Sequence, residues 1–156
     1  MKIKFLAIVL AVCMVAGVFS ACGAVDNSNV VAADVYNDLV SEVEFPEMFA
    51  LDANGLVSLL GIDSTLYTEA VAYIPLTAVS GNMVFIIKTA DDASAEVLAQ
   101  KLENYRLSVL AQMNNYIPAE YEKINAASVH TDGSFVWLVV ADDQAAAVAS
   151  VEANLK

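Results

Sequence analysis

The sequence contains few of the residues on which most site chemistry depends. Its 156 residues include two cysteines, one histidine and seven basic side chains, against 19 acidic ones. With so few cysteines and histidines, neither a disulfide framework nor a cysteine–histidine zinc site is expected. A glycine-rich phosphate loop and a nucleophile elbow are also missing. The formal net charge of −12 opposes binding to nucleic acid, because phosphates repel an acidic surface.

The chain begins with a pattern that is typical of a secretory leader. Lysines lie within residues 1–4, an apolar run covers residues 5–19, and Ser20 and Ala21 stand directly before Cys22. Residues 19–22 read as a lipobox, in which the cysteine thiol takes a diacylglyceryl group and becomes the new N-terminus after cleavage. We therefore expect residues 1–21 to be a lipoprotein signal peptide and Cys22 to be lipidated.

Two other interpretations of the leader stay open. A retained transmembrane anchor is one, although the apolar run falls short of the roughly 20 residues that span a bilayer. An ordinary signal peptide is the other, and Phe19 stands where leucine is more usual in a lipobox. Because two acyl chains anchor a protein stably, a diacylated Cys22 would hold the chain on the outer face of the cell membrane.

Cleavage would leave 135 of the 156 residues, a common size for one domain. Cys13 would leave with the leader, so no thiol would remain for a disulfide or a metal site. The loss of Lys2 and Lys4 would change the formal charge from −12 to −14. Residues 22–29 are mostly small or polar and predict a tether, and residues 30–156 predict a single domain.

The hydrophobic periodicity predicts an α+β domain, with two N-terminal helices followed by a ββαββα order. The predicted helices cover residues 30–43, 52–60 and 91–116, and a last helix begins at residue 142. The predicted strands cover residues 68–79, 83–88, 121–131 and 134–140. Asp132-Gly133 is a strong hairpin signal between the last two strands.

The two ββα units look like a repeat, arising either from duplication or from a shared hairpin–helix pattern. Residues 83–88 and then Ala90-Asp91-Asp92 parallel residues 135–140 and then Ala141-Asp142-Asp143. We expect one four-stranded antiparallel sheet with both long helices on one face. Since strand 135–140 is apolar on both sides, the other face also needs cover. We assign that cover to the two N-terminal helices, and an uncovered face would instead be a partner or dimer surface.

Four short phrases carry a resemblance to a known family. They are Phe45-Pro46-Glu47-Met48, Gly61-Ile62-Asp63, Val71-Ala72-Tyr73-Ile74-Pro75 and Tyr116-Ile117-Pro118-Ala119-Glu120-Tyr121-Glu122. With the lipobox, they resemble the bacterial lipoproteins grouped as domain of unknown function 4358, over roughly residues 33–155. The resemblance implies a small exported lipoprotein of Gram-positive-type bacteria, and it implies no catalytic residue, ligand or cofactor.

The candidate catalytic and metal-binding residues each have a simpler structural interpretation. His130 has Ser128 and Asp132 two residues away on its strand, which is not triad geometry, so we expect an exposed turn residue. The pairs Asp91-Asp92 and Asp142-Asp143 lack a calcium loop and stand where helix caps are expected. Asp52 or Asn54 is likewise expected to cap a helix, because Asp63, the nearest acidic residue that could close a calcium loop after Asp52, has poor spacing.

Four glutamates, Glu47, Glu69, Glu120 and Glu122, are candidates for the carboxylate pair of a glycoside hydrolase, but nothing in the sequence sets their separation. The phrases at residues 73–75 and 116–118 are expected to be packing corners, with a shared ligand groove as the alternative.

We therefore expect a membrane-anchored lipoprotein without catalytic residues, cofactor or metal. Its expected role is that of a binding or interaction module of the cell envelope with a possible envelope protein as partner. A solute-capture lipoprotein associated with a transporter is the alternative, and a cell-wall hydrolase is the third hypothesis.

Overall fold

The computed structural model describes residues 26–114 and 116–156. The predicted signal peptide, the lipidation residue Cys22 and the first part of the predicted tether therefore lie outside the described residues. Within the described ranges, no helix has the length and apolarity needed to cross a bilayer.

The described chain is an α+β unit of five α-helices and one five-stranded sheet. In chain order the elements are α1 (Ala32–Glu42), β1 (Met48–Ala50), α2 (Ala53–Leu60), β2 (Tyr67–Pro75), β3 (Met83–Thr89), α3 (Asp92–Met113), α4 (Pro118–Ala126), β4 (His130–Asp132), β5 (Phe135–Val140) and α5 (Gln144–Asn154). The strand order is β1-β2-β3-β5-β4, and every neighbouring pair is antiparallel.

The central strands β3 and β5 are covered by helices on both faces, as their continuous apolar sequences predict. Helices α1 and α5 pack on what we call the front face, where Ile86 and Trp137 lie in the core. Helices α2, α3 and α4 pack on the rear face, against Phe85 and Leu138. The prediction that both faces are covered is therefore confirmed. The assignment of the second face to the two N-terminal helices is wrong, because α1 packs on the front face and α2 on the rear face.

The prediction that α3 and α5 share one face is wrong. The β3–β5 register pairs Ile86 with Trp137 and Phe85 with Leu138. Residues opposite each other in an antiparallel pair lie on the same face. Phe85 and its counterpart in the repeat, Trp137, consequently point to opposite faces, and so do the helices that follow the two strands. The two units thus resemble each other locally while they cover different sides of the sheet.

The predicted strand over residues 121–131 is also wrong, because most of that segment is helix α4. Pro118 occupies the first turn of α4 with Glu120, and both residues favour a helix start. Only the short strand β4 remains, and it pairs with β5 through a two-residue turn in which Gly133 has a φ of 55°. The sheet gains its fifth strand from β1, which pairs with the end of β2. The sheet therefore has five strands, one more than the four that the sequence predicted.

Asn27, which is only 3% exposed, holds the N-terminal segment against the domain. Its side-chain amide donates to the carbonyl of Asp132 at 2.8 Å, and its side-chain oxygen accepts from the backbone N–H and hydroxyl of Ser134, both at 2.9 Å. The end of the predicted tether is therefore fixed to the β4–β5 turn.

Two charged side chains secure the start of α1, just after Asn27. The Nζ of Lys88 donates to the carbonyls of Ser28 and Val30 at 2.7 and 2.8 Å. The carboxylate of Glu69 accepts from the backbone N–H of Ala32 at 2.8 Å. Val31, the N-cap residue, offers no side-chain acceptor. Glu69 therefore supplies the negative group that a helix N-terminus favours.

Arg106 of α3 forms an ion pair within its own helix and a hydrogen bond that links α3 to α4 on the rear face. Arg106 donates to both carboxylate oxygens of Glu103, at 2.8 and 2.6 Å, and to the carbonyl of Ile124 at 3.0 Å. The hydrogen bonds from Arg106 lower the pKa of the Glu103 carboxyl below its ordinary value. A lowered pKa in the folded state stabilises the protein above the unfolded-state pKa, and that contribution disappears as the pH falls.

We expect Glu103→Gln to lower the free energy of unfolding at pH 7. This loss should shrink progressively as the pH falls below about 4.5, the ordinary pKa of glutamate. The check is urea denaturation of both proteins between pH 7 and pH 3, followed by the fluorescence of the only tryptophan. Glu122→Gln, an exposed change on α4, is the control and should have little effect throughout. A Glu103→Gln deficit of equal size at both pH limits would contradict the role assigned to this ion pair.

Candidate functional site

The sheet gives the domain two distinct ends. At the near end, Asn27 contacts the β4–β5 turn and also lies 3.4 Å from the carbonyl of Leu155, after α5. At the far end, β2 finishes at Pro75 beside Met48 of β1, and β3 begins at Met83 beside Val140. The far end carries the candidate site, because two pockets open there on opposite faces of the sheet.

The front pocket lies between the end of α1 and the β1–β2 pair, with a volume of about 300 Å³. It is lined by Tyr36, Val40, Val43, Glu44, Phe45, Pro46, Met48 and Tyr73. The rings of Tyr36 and Tyr73 stack in parallel, with centroids 4.4 Å apart and an interplanar angle of 3°. Burial and the adjacent Tyr73 raise the pKa of Tyr36 to about 12, so its phenol is neutral at physiological pH. The pocket is thus mainly aromatic and apolar, with one carboxylate.

The rear groove lies on the opposite side of β2, between the β2–β3 connection and α3, with a volume of about 330 Å³. Its wall includes Leu59, Ile74, Met83, Val109 and Met113. It adjoins a second pocket that shares Leu59 and Tyr105 and reaches Lys101. Apolar residues around this region are strongly exposed: Leu76 by 57%, Val79 by 64% and Tyr116 by 84%.

Two of the four short sequence phrases border these cavities. Successive residues of a strand point to opposite faces, and accordingly Tyr73 lines the front pocket while Ile74 lines the rear groove. Residues 45, 46 and 48 also line the front pocket. Ile117 packs against the rear core instead, and Tyr116 follows Met113 at the end of α3. The phrases at residues 73–75 and 116–118 are therefore packing corners. Residues 73–75 also line the front pocket and the rear groove.

One side of the front pocket carries acidic groups. Glu44 lines the pocket, Glu42 ends α1 and Glu47 follows the lining residue Pro46, and all three are exposed. Among the described residues, the ion pairs involve Lys88, Arg106, Lys123 and Lys156, each with a carboxylate other than these three. The rim of the front pocket thus has acidic groups without basic partners in the described chain.

The structure corrects the interpretation of His130 as an exposed turn residue. His130 lies in β4, is half-buried and stacks on Trp137, with ring centroids 4.1 Å apart and an interplanar angle of 10°. Asp132 accepts a hydrogen bond from the indole Nε1 of Trp137 at 2.8 Å. The side chains of His130 and Asp132 therefore both contact the indole of Trp137 and hold it in place beside β4.

The aspartates act as helix caps, as predicted. Asp52, Asp91 and Asp143 accept from the backbone N–H groups of Gly55, Ser94 and Ala146, at the starts of α2, α3 and α5. Asp142 pairs with Lys123 at 2.7 Å. The two Asp-Asp pairs lie at opposite ends of the sheet and do not meet. No cluster of three potential metal-ligating side chains occurs within residues 26–114 and 116–156.

The four candidate glutamates are not brought together. Glu69 supports α1 at the near end, whereas Glu120 lies at the far end, where it accepts from the backbone N–H of Gly81 at 2.6 Å and pairs with Lys123 at 2.9 Å. Glu47 begins the β1 segment, and Glu122 is exposed on α4. Glu69 and Glu120 have structural partners of their own.

Several residues of the site were not singled out by sequence. Tyr36 fits the apolar stripe of α1, and no sequence signal distinguishes a pocket residue from a core residue there. Asn27 lies among other small polar residues, so its burial has no sequence signature. Glu44 is one acidic residue in an acidic chain, and only the pocket geometry singles it out.

Comparison with known proteins gives one match. A family model described as Domain of unknown function (DUF4358) matches residues 41–141, which include the whole sheet and helices α2 to α4. The front-pocket residues from 43 onward lie inside this range, whereas Tyr36 and Val40 precede it. No curated protein and no solved structure matches the chain significantly.

Proposed function

The chain belongs to the family described as Domain of unknown function (DUF4358), and from this premise we propose that it is a lipid-anchored, non-catalytic binding module of the bacterial cell envelope. The observation that carries the proposal is the position of both cavities at the far end of the sheet, opposite the docked N-terminal segment.

The position of Asn27 gives the anchoring proposal a geometric consequence. Cys22 is five residues before Asn27 in sequence, and an extended chain covers at most about 3.5 Å per residue, so a lipid on Cys22 would be attached no more than about 18 Å from Asn27. Asn27 itself is fixed to the β4–β5 turn. A lipid on Cys22 would hold the near end close to the bilayer, and the far end would face outward. This orientation presents the front pocket and the rear groove to other envelope components.

A solute-capture role is the second candidate, and the front pocket is the observation that favours it. Its volume of about 300 Å³ is at the lower limit of small-molecule sites. A ligand that binds only the folded protein raises its thermal stability, so screening envelope solutes by thermal shift separates this role from protein binding. Hydrolysis has less support, because Glu69 and Glu120 lie at opposite ends of β3 and each has a structural partner.

We expect Cys22→Ser to abolish lipid attachment and to release the protein from the membrane fraction. The matched control is Cys13→Ser, since that cysteine lies inside the predicted leader and should be dispensable. Fractionation of cells that express the full chain, with intact-mass analysis of the N-terminal peptide, measures both outcomes. We expect at least a tenfold loss from membranes for the first variant and no loss for the second. An unmodified Cys22 in the membrane-bound native protein would contradict the anchoring proposal.

A further inference from the structure

We propose that the front pocket and the open edge of β1 together bind an extended, basic segment of a partner protein. In this arrangement the segment adds to the sheet beside β1, and one of its arginine or lysine side chains enters the front pocket. The inference rests on the proposed function, because it names the kind of partner that the binding module takes.

Strand β1 provides an open edge for strand addition. Among residues 26–114 and 116–156, it is the outermost strand on its side of the sheet. The N–H of Leu51 and the carbonyl of Glu47 bond to the β2 side of the pair. Because backbone groups alternate in direction along a strand, those of Met48 and Ala50 face the open side. An extended segment of three to five residues can therefore pair there, as in other cases of strand addition.

Strand β1 has one of the usual protections against pairing, its length of three residues, and lacks the others. Natural edge strands are often very short, or carry a lysine, a proline or a bulge that discourages another strand. The three residues of β1 are Met48, Phe49 and Ala50, and Phe49 is 55% exposed. An added strand can thus gain apolar contact with Phe49 on one side while its alternate side chains point toward the front pocket.

The chemistry of the front pocket suits a cationic side chain. Aromatic rings attract a cation positioned over their faces, and the lining includes Tyr36, Tyr73 and Phe45. Glu44 adds a carboxylate to the same wall, and the exposed Glu42 and Glu47 add negative charge to the same stretch of chain. A guanidinium or ammonium group would meet both attractions in one site.

The same charge disfavours the other occupants of this edge. A second copy would bring another acidic rim and a further net charge of −12 to the interface, and like charges repel across it. Anionic lipid headgroups would be repelled for the same reason. A basic segment is therefore the occupant that complements both the edge and the pocket.

The test uses the full-length protein in neutral detergent and a capped hexapeptide of alternating arginine and valine. Its matched control peptide carries citrulline, a neutral isostere, in place of arginine. A third peptide carries N-methyl groups on alternate backbone nitrogens, which block strand pairing. We expect the arginine peptide to bind at least tenfold more tightly than either control, and to shift the amide resonances of Met48, Phe49 and Ala50.

Variants of the protein locate the interaction. The double change Glu44→Gln and Glu47→Gln should weaken binding of the arginine peptide at least fivefold, whereas Glu96→Gln, an exposed change on α3, should leave it within twofold. Equal binding of the citrulline peptide, unchanged amides in β1 or no binding at all would overturn the inference. The broader proposal would still stand in that case if a partner were cross-linked at the far end through the rear groove.

Discussion

Replacement of Trp137 by alanine is expected to lower the free energy of unfolding by about 3–5 kcal/mol. The indole is fully buried in β5 and belongs to the front core, between the sheet and the helices α1 and α5. It also stacks on His130 and donates to Asp132. Truncation removes these contacts and leaves a large cavity that the surrounding strands cannot close. Denaturation followed by circular dichroism measures the loss.

Two further variants show whether burial is the cause. Trp137→Phe keeps an aromatic ring in the core and removes the bond to Asp132, so it should cost clearly less than the alanine change. Phe49→Ala removes an aromatic side chain that is 55% exposed, and it should alter stability by no more than about 0.5 kcal/mol. A loss below about 1 kcal/mol for Trp137→Ala would contradict the described packing of α1 and α5 over β5.

Replacement of Asn27 by alanine is expected to cost about 2–4 kcal/mol, a large effect for a polar residue before the first helix. The change leaves the carbonyl of Asp132 and the N–H of Ser134 without their partner. Each of these partly buried groups costs about 1–2 kcal/mol when it loses its hydrogen bond, which is the lower part of the range for buried groups. Denaturation of the full-length protein in neutral detergent, followed by Trp137 fluorescence, measures the difference.

The chain offers a matched control two residues away. Asn29→Ala makes the same chemical change at an exposed position, and we expect it to alter stability by less than about 0.5 kcal/mol. Faster amide exchange at Ser134 in the Asn27 variant alone would locate the effect at the β4–β5 turn. Equal effects of the two substitutions would show that the N-terminal segment is not fixed through Asn27.

The local features of the fold were the most predictable from sequence. The start of α3 after Asp91, the cap of α2 at Asp52 and the turn at Gly133 depend on a few neighbouring residues, and each lies where the pattern placed it. The continuous apolar sequence of β5 likewise predicted cover on both faces of the sheet. These signals are local, so no knowledge of the final packing was needed to interpret them.

The remaining features depend on tertiary structure. Strand β1 has three residues and exists because the end of β2 offers it a partner, which no periodicity can indicate. The apolar residues of the α4 segment fit the spacing of either a helix or a strand. Pro118 in the first turn favours the helix that the structure has. The side on which α5 packs follows from the β3–β5 register, which sets Phe85 and Trp137 on opposite faces.

The candidate site was the least predictable part. The phrase at residues 73–75 indicated the right region, but the pocket also needs Tyr36 from a distant helix and Glu44 from the connection after it. Only folding brings these groups together. The net negative charge of the chain predicted that it repels nucleic acid. The carboxylates near the front pocket, which form no ion pair in the described chain, indicate that the pocket can attract a cationic side chain.

Photo-cross-linking in living cells tests most directly whether the far end is the binding end. Benzoylphenylalanine replaces Phe49 at the far end in one full-length protein and Thr131, exposed in β4 at the near end, in another. We expect one discrete protein adduct from position 49 that carries a basic segment at the cross-linked peptide, and no such adduct from position 131. Adducts at position 131 alone, or the same adducts from both positions, would contradict the proposal that the far end presents the binding site.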